Sequence, residues 1–458
     1  MNSLKNITKL NPDILIIGSG IVGSSCALAL SKLGYNVKVL DKTPYQGLGT
    51  SSYSSGICRM FYSHPDSVKL AWDSYQFWKK DKWEELIGGK DPRGMVDLNE
   101  CGSVYLNTIN SQNFINKTTK AMGEVGVPYE LLDLKETRKI LEPLQMDLNY
   151  SYKPSKFKDN SFGFPLETPI YGSMYMEKTG YISDPNLANQ NLQYGSQLLG
   201  TEYLYNKKVT NFILDTTYND NYKKKLIGVE VNGNETIYAD KIINCSGVQS
   251  SYINYLLYRN ANVINDMKIT TRPMKQEVCY VKVPEDINIE KDGKIIIDND
   301  IGVHFRPEVG NKLLIGNSEP PCDEFHWIDN LNDFDNNFSE QYMEQIYRGC
   351  LRMPKLPIPS GKDVQGVVSM YDVTKDWTPI YDKSNIENYF MAIGTSGNQF
   401  KNAPLIGELM SSIITNYNLN YHDYSPIKFK MKNFNNTIDL GTFSRLRKVV
   451  SNSNCVFS

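Results

Sequence analysis

A chain of 458 residues is too long for one simple core, so two or three structural units are expected. A hydrophobic share of 40% and a charged share of 22% are those of a folded protein in water. The formal net charge of -2 gives no sign of the basic surface that nucleic acid or an acidic membrane requires.

The opening segment, "MNSLKNITKLNPD", has neither the apolar core of a signal peptide nor the arginines of a transit peptide. The most informative stretch follows, "DILIIGSGIVGSSCALALSKLGYNVKVLDK" (13–42). The apolar run Ile14 to Ile17 predicts a buried parallel strand. Gly18, Gly20 and Gly23 come next in GxGxxG spacing, with Ile21 and Val22 opening a helix. Cys26, Ala27, Leu30 and Leu33 give that helix an apolar face, Gly34 ends it, and "NVKVLD" returns as a second strand. The first glycine permits a tight turn, the second lets backbone amides approach a pyrophosphate, and the third lets helix pack on strand. The helix N-terminus, with its unpaired N–H groups and dipole, favours that anion. Asp41 stands at the end of the second strand, where a carboxylate accepts from ribose hydroxyls, and an acid there disfavours a 2′-phosphate. This signature does not separate FAD from NAD.

A Ser/Gly-rich loop, "TPYQGLGTSSYSSGICRMFY", then leads into one amphipathic helix, "SVKLAWDSYQFWKKDKWEEL". Arg59 is a single cation among small and apolar neighbours, either a structural capping group or a ligand for an anion. "CGSVYLN" reads as a strand and "LDLKETRKILEPL" as a helix ended by Pro143, while 147–175 reads as an inserted surface loop. "GYISDPNLANQNLQYGSQLLG" is a turn plus helix, and "VTNFILD", "KLIGVEVNG" and "ETIYADKIINCSG" are successive strands. "TTRPMKQEVCYVKV", "KIIIDND" and "IGVHFRPEVGNKLLIGN" predict an antiparallel sheet, followed by a helix over 338–352. His304 and Arg306 share one strand face and Phe305 takes the other, so one set should border the cofactor or substrate. Near the end, "AIGTSGNQFKNAPLIG" (392–407) is a glycine-punctuated loop feeding a helix, with Lys401 just inside its apparent start. A cation is unfavourable there, so Lys401 asks for an anion.

The four histidines (64, 304, 326 and 422) show no metal-ligand spacing, and no metal site is expected. The eight cysteines include no CxxC pair, against both zinc and a disulfide framework and in favour of a reducing cytoplasm. No apolar run approaches the roughly 20 residues of a membrane span. The C-terminal "CVFS" is no recognisable lipidation or peroxisomal address. The absence of GxSxG speaks against covalent hydrolase chemistry.

With these segments in order, the chain resembles the D-amino-acid-oxidase superfamily of flavoproteins, most closely its sarcosine oxidase and N-methyl-amino-acid dehydrogenase branch. The resemblance covers nearly the whole chain. It rests on "IIGSGIVG", "SSGICRMFY", "GYISDPN", "VTNF", "IINCSG", "RPMKQE", "RPEVGNKLLIGN", "MYDVTKDWTPI", "GTSGNQFKNAPLIGE" and "IDLGTFSRLR". It implies an α/β fold, a doubly wound, glutathione-reductase-like FAD domain interleaved with an α+β substrate domain built on an antiparallel sheet. The FAD domain would take 1–98, 178–262 and 366–458, and the substrate domain 99–177 and 263–365. By the same resemblance Gly18, Gly20, Ile21, Val22, Gly23, Asp41 and Lys42 hold the ADP half of a non-covalent FAD. Ser51 and Ser52 lie near the isoalloxazine, Val209 near the adenine and Gly247 beside the pyrophosphate. Gly394, Gly397, Asn398 and Gln399 approach the flavin ring. Arg59 and Lys401 match two cations that clamp a substrate carboxylate, and Tyr371 and His304 stand near the pocket.

Three departures from the family pattern matter. Ser369 stands where a cysteine bonds the flavin, Leu314 at about the place of an oxygen-activating lysine, and Gly56 where a second arginine lies. The resulting reading is an FAD-dependent oxidoreductase that oxidises the C–N bond of a small, secondary or N-methylated amino acid to an imine. Its electron acceptor would be oxygen, a quinone or another flavoprotein, with a dehydrogenase favoured by Leu314. A proline or other imino-acid dehydrogenase, an NAD-dependent dehydrogenase and a non-catalytic FAD-binding assembly factor are the alternatives.

Overall fold

The computed structural model describes residues 11–217, 224–416, 423 and 425–449. His422, the "CVFS" end and most of the opening "MNSLKNITKLNPD" segment lie outside the described residues.

Two sheets carry the fold. The first has six strands in the order 202–204, 37–40, 14–17, 241–244, 389–393 and 380–383. All neighbours are parallel except the last pair. Alternation along a strand sends successive side chains to opposite faces. Ile14, Ile16, Val37 and Val39 therefore enter one apolar cluster, while Leu15, Ile17 and Leu40 enter another. Both faces are covered, which is the doubly wound arrangement the apolar strands call for. Helix Ile21–Lys32 lies against helices Pro185–Leu198 and Ala403–Thr415.

The second sheet has eight strands in the order 365–374, 271–282, 312–317, 303–308, 295–298, 103–107, 172–176 and 130–133. It is antiparallel except where 295–298 runs parallel to 103–107. Phe305, Leu313, Ile315, Cys279 and Val281 point to one face and pack with Tyr342 and Ile346 of helix Glu340–Arg352. The opposite face carries His304, Arg306, Leu314, Gln276, Ser369 and Tyr371, paired across the strands as His304 with Gly316 and Arg306 with Leu314. Strand Gln365–Thr374 pairs residue for residue with 271–280 and so belongs to this sheet. Among the described residues, no helix is long and apolar enough to cross a membrane, and no group of three acidic, His or Cys side chains could hold a metal.

Five local expectations are corrected. The single helix expected over 67–86 is two, Pro65–Phe77 and Lys80–Ile87, because Lys79 is extended at ψ 136°. The break lets Trp78 stack on Trp83 at 4.4 Å and donate from Nε1 to the Lys401 carbonyl. The 147–175 segment is no surface loop throughout: Ser151 is buried and donates to Asp300, and 172–176 pairs with strands on both sides. "ETIYADKIINCSG" forms two strands, 235–238 and 241–244, in different sheets. Leu33 is 57% exposed, since the helix is already enclosed through Ser31 and Leu33 is its C-cap. Lys401 precedes the last helix, in a 3-10 turn over Phe400–Asn402.

The crossing of helices Ile21–Lys32 and Ala403–Thr415 supplies a stability test. A Cβ at Gly407 would stand 2.1 Å from the Ser25 carbonyl oxygen. Gly407→Ala should therefore destabilise by about 1–3 kcal/mol or more through overpacking. Gly123, exposed in helix Gln112–Val125 with nothing near its Cβ position, should gain up to about 1 kcal/mol as alanine. Thermal denaturation of the two variants checks the opposite signs.

Candidate active site

The strand–turn–helix at the front of the chain forms a cradle with no room for side chains. A Cβ on Gly18 would lie 2.4 Å from the Cys245 carbonyl oxygen, and one on Gly23 would lie 2.0 Å from that of Gly18. Gly18 also has φ +106°, a conformation in which glycine avoids the Cβ clash. The Ile21 N–H, at the helix start, donates to Ser51 Oγ at 3.0 Å, and no acid lies in the first turn. Val22 and Gly23 follow in the same buried turn. Asp41 closes the cradle from the next strand, accepting from the N–H and Oγ of Ser19 at 2.8 and 2.7 Å. Lys42 beside it is exposed, and partial desolvation lowers its pKa against the pull of Asp41. Gly247, at φ +55°, lies on the far side near Thr50. A glycine cradle, a helix N-terminus and a carboxylate at the strand end fit a dinucleotide's pyrophosphate and ribose.

Ser52 and Val209, also expected at the cofactor, have contacts of their own within the protein. Ser52 donates to Asn186 Oδ1 beside helix Pro185–Leu198. Val209 is buried in the apolar cluster with Leu15, Ile17 and Leu40, while Lys207, two residues before it, donates its N–H to the Asp41 carbonyl.

A second group assembles around Tyr62. The Arg59 guanidinium lies 4.5 Å from the Tyr62 ring centroid and 4.7 Å from that of Phe61, and it donates to the Phe61 carbonyl at 2.7 Å. Lys401 Nζ lies 5.1 Å from the same Tyr62 ring and donates to the Asn398 carbonyl at 2.5 Å. Tyr62 Oη donates to that carbonyl too, at 3.2 Å. Arg59 and Lys401 are both buried. Burial, then repulsion from Arg59, holds the Lys401 ammonium well below its ordinary pKa, with Cys58 acting the other way. Burial alone leads the rise of Cys58 to about 12, so this thiol stays protonated.

The loop 394–399 connects this group to the sheet. Gly394, at φ +66°, donates its N–H to Asp372 Oδ2 at 2.7 Å, and Ser250 Oγ donates to the same oxygen. Gly397, at φ +65°, is where the Tyr371 ring packs; a Cβ there would come within 2.3 Å of the ring. Asn398 donates to the Trp377 carbonyl, and Gln399 Oε1 accepts from Tyr381 and Asn402.

On the sheet face, the His304 ring lies across Gly316, whose Cβ position is 2.3 Å from His304 Cε1. Burial first, then Arg59 and Arg306, drops the His304 pKa to about 3, so the imidazole is neutral. Arg306 lies over the Tyr181 ring at 4.4 Å and pairs with Glu308 through Nη2; among the described residues its buried Nε and Nη1 have no hydrogen-bond partner. Gly56 has φ +64° and a Cβ position 2.4 Å from the Ile182 carbonyl oxygen, so no arginine side chain can stand there.

Sequence reasoning missed three members of this region. Tyr62, inside "CRMFY", had only its proximity to Arg59 as a signal. Asp372, neighbour of Tyr371 but on the other strand face, is a buried carboxyl pushed up to about 6 by desolvation. Glu319, just beyond strand 312–317, had no signal at all.

Comparison with known proteins gives the family and the fold. The family model described as FAD dependent oxidoreductase (DAO) matches residues 13–413. A D-amino acid dehydrogenase of Helicobacter pylori is 23% identical over 53% of this chain, and the match spans 62% of that relative's length. The monomeric sarcosine oxidase of Streptomyces avermitilis is 22% identical over 88% of this chain and 93% of its own. The crystal structure of L-proline dehydrogenase from P. horikoshii superposes with a TM-score of 0.71 at 18% identity, covering 95% of this chain and 97% of that one.

The residues near the sheet face also bear on how the cofactor is held. Ser369 occupies that face and Cys58 is a protonated, buried thiol. Acid precipitation of the yellow protein should therefore release the flavin into the supernatant. Flavin retained in the pellet would show a covalent bond to another residue.

Proposed function

The chain belongs to the FAD dependent oxidoreductase (DAO) family, and on that premise we propose that it oxidises the C–N bond of a small amino acid, secondary or N-methylated, to an imine that water hydrolyses. The observation that carries this reading is the pair of buried cations, Arg59 and Lys401, on one tyrosine ring. Burying an ammonium whose hydrogen bond goes to a backbone carbonyl is costly, and a bound anion offsets that cost. A carboxylate suits both groups: the planar guanidinium bonds it in two places and the ammonium adds a point charge.

FAD, when bound, supplies a two-electron acceptor. Gly18, Gly20, Ile21, Val22, Gly23, Asp41, Lys42 and Gly247 would hold its dinucleotide end, and the 394–399 loop its ring. Arg59 and Lys401 bind and orient the substrate's carboxylate. Tyr62 holds the two cations together through its ring face, and Tyr371 walls the pocket against Gly397. Neutral His304 offers no competing charge, so it shapes the site without attracting the carboxylate. The buried positive groups stabilise negative charge that develops during the reaction. We divide the chain into a cofactor half, 1–98, 178–262 and 366–458, and a substrate half, 99–177 and 263–365, with strand 365–374 completing the substrate sheet. Seven described cysteines are unpaired, which suits a cytoplasmic setting.

For the acceptor, Leu314 puts an uncharged side chain on the sheet face, and Lys312 reaches away to Gln365. A dehydrogenase follows. Reduced protein should reoxidise slowly in air and quickly with a quinone, as stopped-flow absorbance would record. The second reading, an oxidase, is favoured by one observation: Arg306 is the cross-strand partner of Leu314 on the same sheet face, and its guanidinium is buried over the Tyr181 ring. Fast reoxidation in air that Arg306→Met abolishes would establish that reading instead.

The carboxylate clamp has its own test. Each charge-assisted hydrogen bond contributes about 1.5–3 kcal/mol. Lys401→Met should then lower kcat/KM for an amino acid by roughly tenfold to somewhat over a hundredfold. The variant should keep FAD and show little loss on a matched amine without the carboxylate. Equal losses on both substrates would reject the clamp.

A further inference from the structure

The cation-rich site adjoins an acid, Glu319, that the reaction as described does not use. Glu319 follows the strand Lys312–Asn317, which lies beside 303–308 and 271–282. Its Oε1 accepts from Gln276 Nε2 at 3.1 Å, and Gln276 shares the site-facing side of its strand with Met274, the partner of Tyr371. Its own N–H donates to Asn317 Oδ1 at 3.0 Å, and the backbone there is left-handed, at φ +49°. The buried Oε2 has no hydrogen-bond partner among the described residues. A buried, unsatisfied carboxylate oxygen costs roughly 1–3 kcal/mol or more, so its persistence calls for a partner.

The groups facing Glu319 come from four places. Arg59 from the segment after strand 57–58 and Tyr371 from strand 365–374 both interact with it electrostatically. Asp323 does so from the loop beyond it. Lys275, Glu277, Glu324 and His326 line a shallow concavity that Glu319 shares on its outer side. Burial raises the Glu319 carboxyl to about 8, with Gln276 opposing, Asp323 adding and Arg59 opposing. Near neutral pH it is thus mostly protonated, and a cation brought beside it would favour the ionised form.

We propose that Glu319 is the substrate-amine site: Oε2 binds the cationic amine of the amino acid whose carboxylate is held by Arg59 and Lys401, and then accepts its proton. This rests on the amino-acid reading above. In the transfer the N–H bond of the ammonium breaks and the O–H bond of the Glu319 carboxyl forms. The electron pair stays on nitrogen, leaving the neutral amine that C–N oxidation requires. The arrangement selects a zwitterion over a simple carboxylic acid, because two cations and one anion match its two ends.

The test is binding to the FAD-loaded protein, followed by the flavin absorbance band, of two ligands. The first is 2-aminoisobutyrate, which has no α-hydrogen to lose; the second is isobutyrate, the same acid without the amine. At about pH 9, Glu319→Gln should weaken 2-aminoisobutyrate at least tenfold, because the charge that meets the ammonium is gone. Isobutyrate should bind the variant as well as or better than the parent, since an anionic neighbour of its carboxylate has been neutralised. Between about pH 6 and about pH 10 the ratio of the two affinities in the parent should rise through the Glu319 ionisation, and the variant's ratio should stay flat. Flavin content and the thermal midpoint report folding, and Glu319→Asp, which keeps the charge, should restore part of the preference if the glutamine variant is unstable. Equal changes for both ligands, or none, would overturn the role of Glu319 and leave the carboxylate clamp standing. Failure of both ligands to bind the parent would instead overturn the amino-acid reading, and this inference with it.

Discussion

Helix Ile21–Lys32 is approached by backbone at distances no side chain could share. Gly23 lets the Gly18 carbonyl touch the helix start, and Gly407 lets the last helix meet Ser25. Ser25 Oγ completes the contact, donating to the Ala403 carbonyl and accepting from the Gly407 N–H. These approaches do more than pack helices. Helix Ala403–Thr415 begins one residue after Asn402, so its seating on the front helix places the Phe400–Asn402 turn, and with it Lys401, relative to the dinucleotide cradle. Trp78 fixes the same turn from a third side by donating to the Lys401 carbonyl. Cradle and cation are thereby parts of one rigid packing unit.

Electrostatics divides the region just as sharply. The cradle holds Asp41 and the start of a helix dipole, a setting for phosphate and ribose. The sheet side holds Arg59, Lys401 and Arg306, all buried, with His304 kept neutral by that same burial. Like charges in a low-dielectric setting repel strongly, and the aromatic faces of Phe61, Tyr62 and Tyr181 are what each guanidinium or ammonium packs against. The end of the chain adds a separate set of charges. Arg445 ties Asp266 and Asp382, and Arg447 grips Asp376 beside Trp377, whose carbonyl accepts from Asn398. Arg447 thus braces the loop that carries the site.

Two of the corrections share a cause. A helix pattern over 67–86 is continuous in hydrophobic period, yet Trp78 gains more by stacking on Trp83 and reaching Lys401 than by extending the helix. The 172–176 strand is hidden in a Tyr/Pro/Gly-rich stretch because it is enclosed by partners distant in the chain, which removes the need for its own alternating pattern. Leu33 looks apolar-faced but is a helix cap. In the first two cases tertiary packing overrode a local preference worth only a fraction of a kcal/mol per residue, whereas Leu33 is exposed because the helix ends there.

What the sequence determined by itself is what neighbours along the chain can enforce. Strand Ile14–Ile17, the glycine turn, the helix, Asp41 at the next strand end and the opposed faces of His304 and Phe305 all follow from local sterics and periods of 2 and 3.6 residues. The family pattern added Arg59 and Lys401. Only the tertiary structure decided that these two cations share Tyr62, that Gly56 excludes an arginine because Ile182 fills its space, and that Arg306 stands across from Leu314. It alone decided that Asp372 is a buried acid and that Glu319 buries its Oε2, each with a raised pKa. The physical reason is that desolvation and charge pairing depend on which distant segments exclude water from a group, and no spacing within one segment records that.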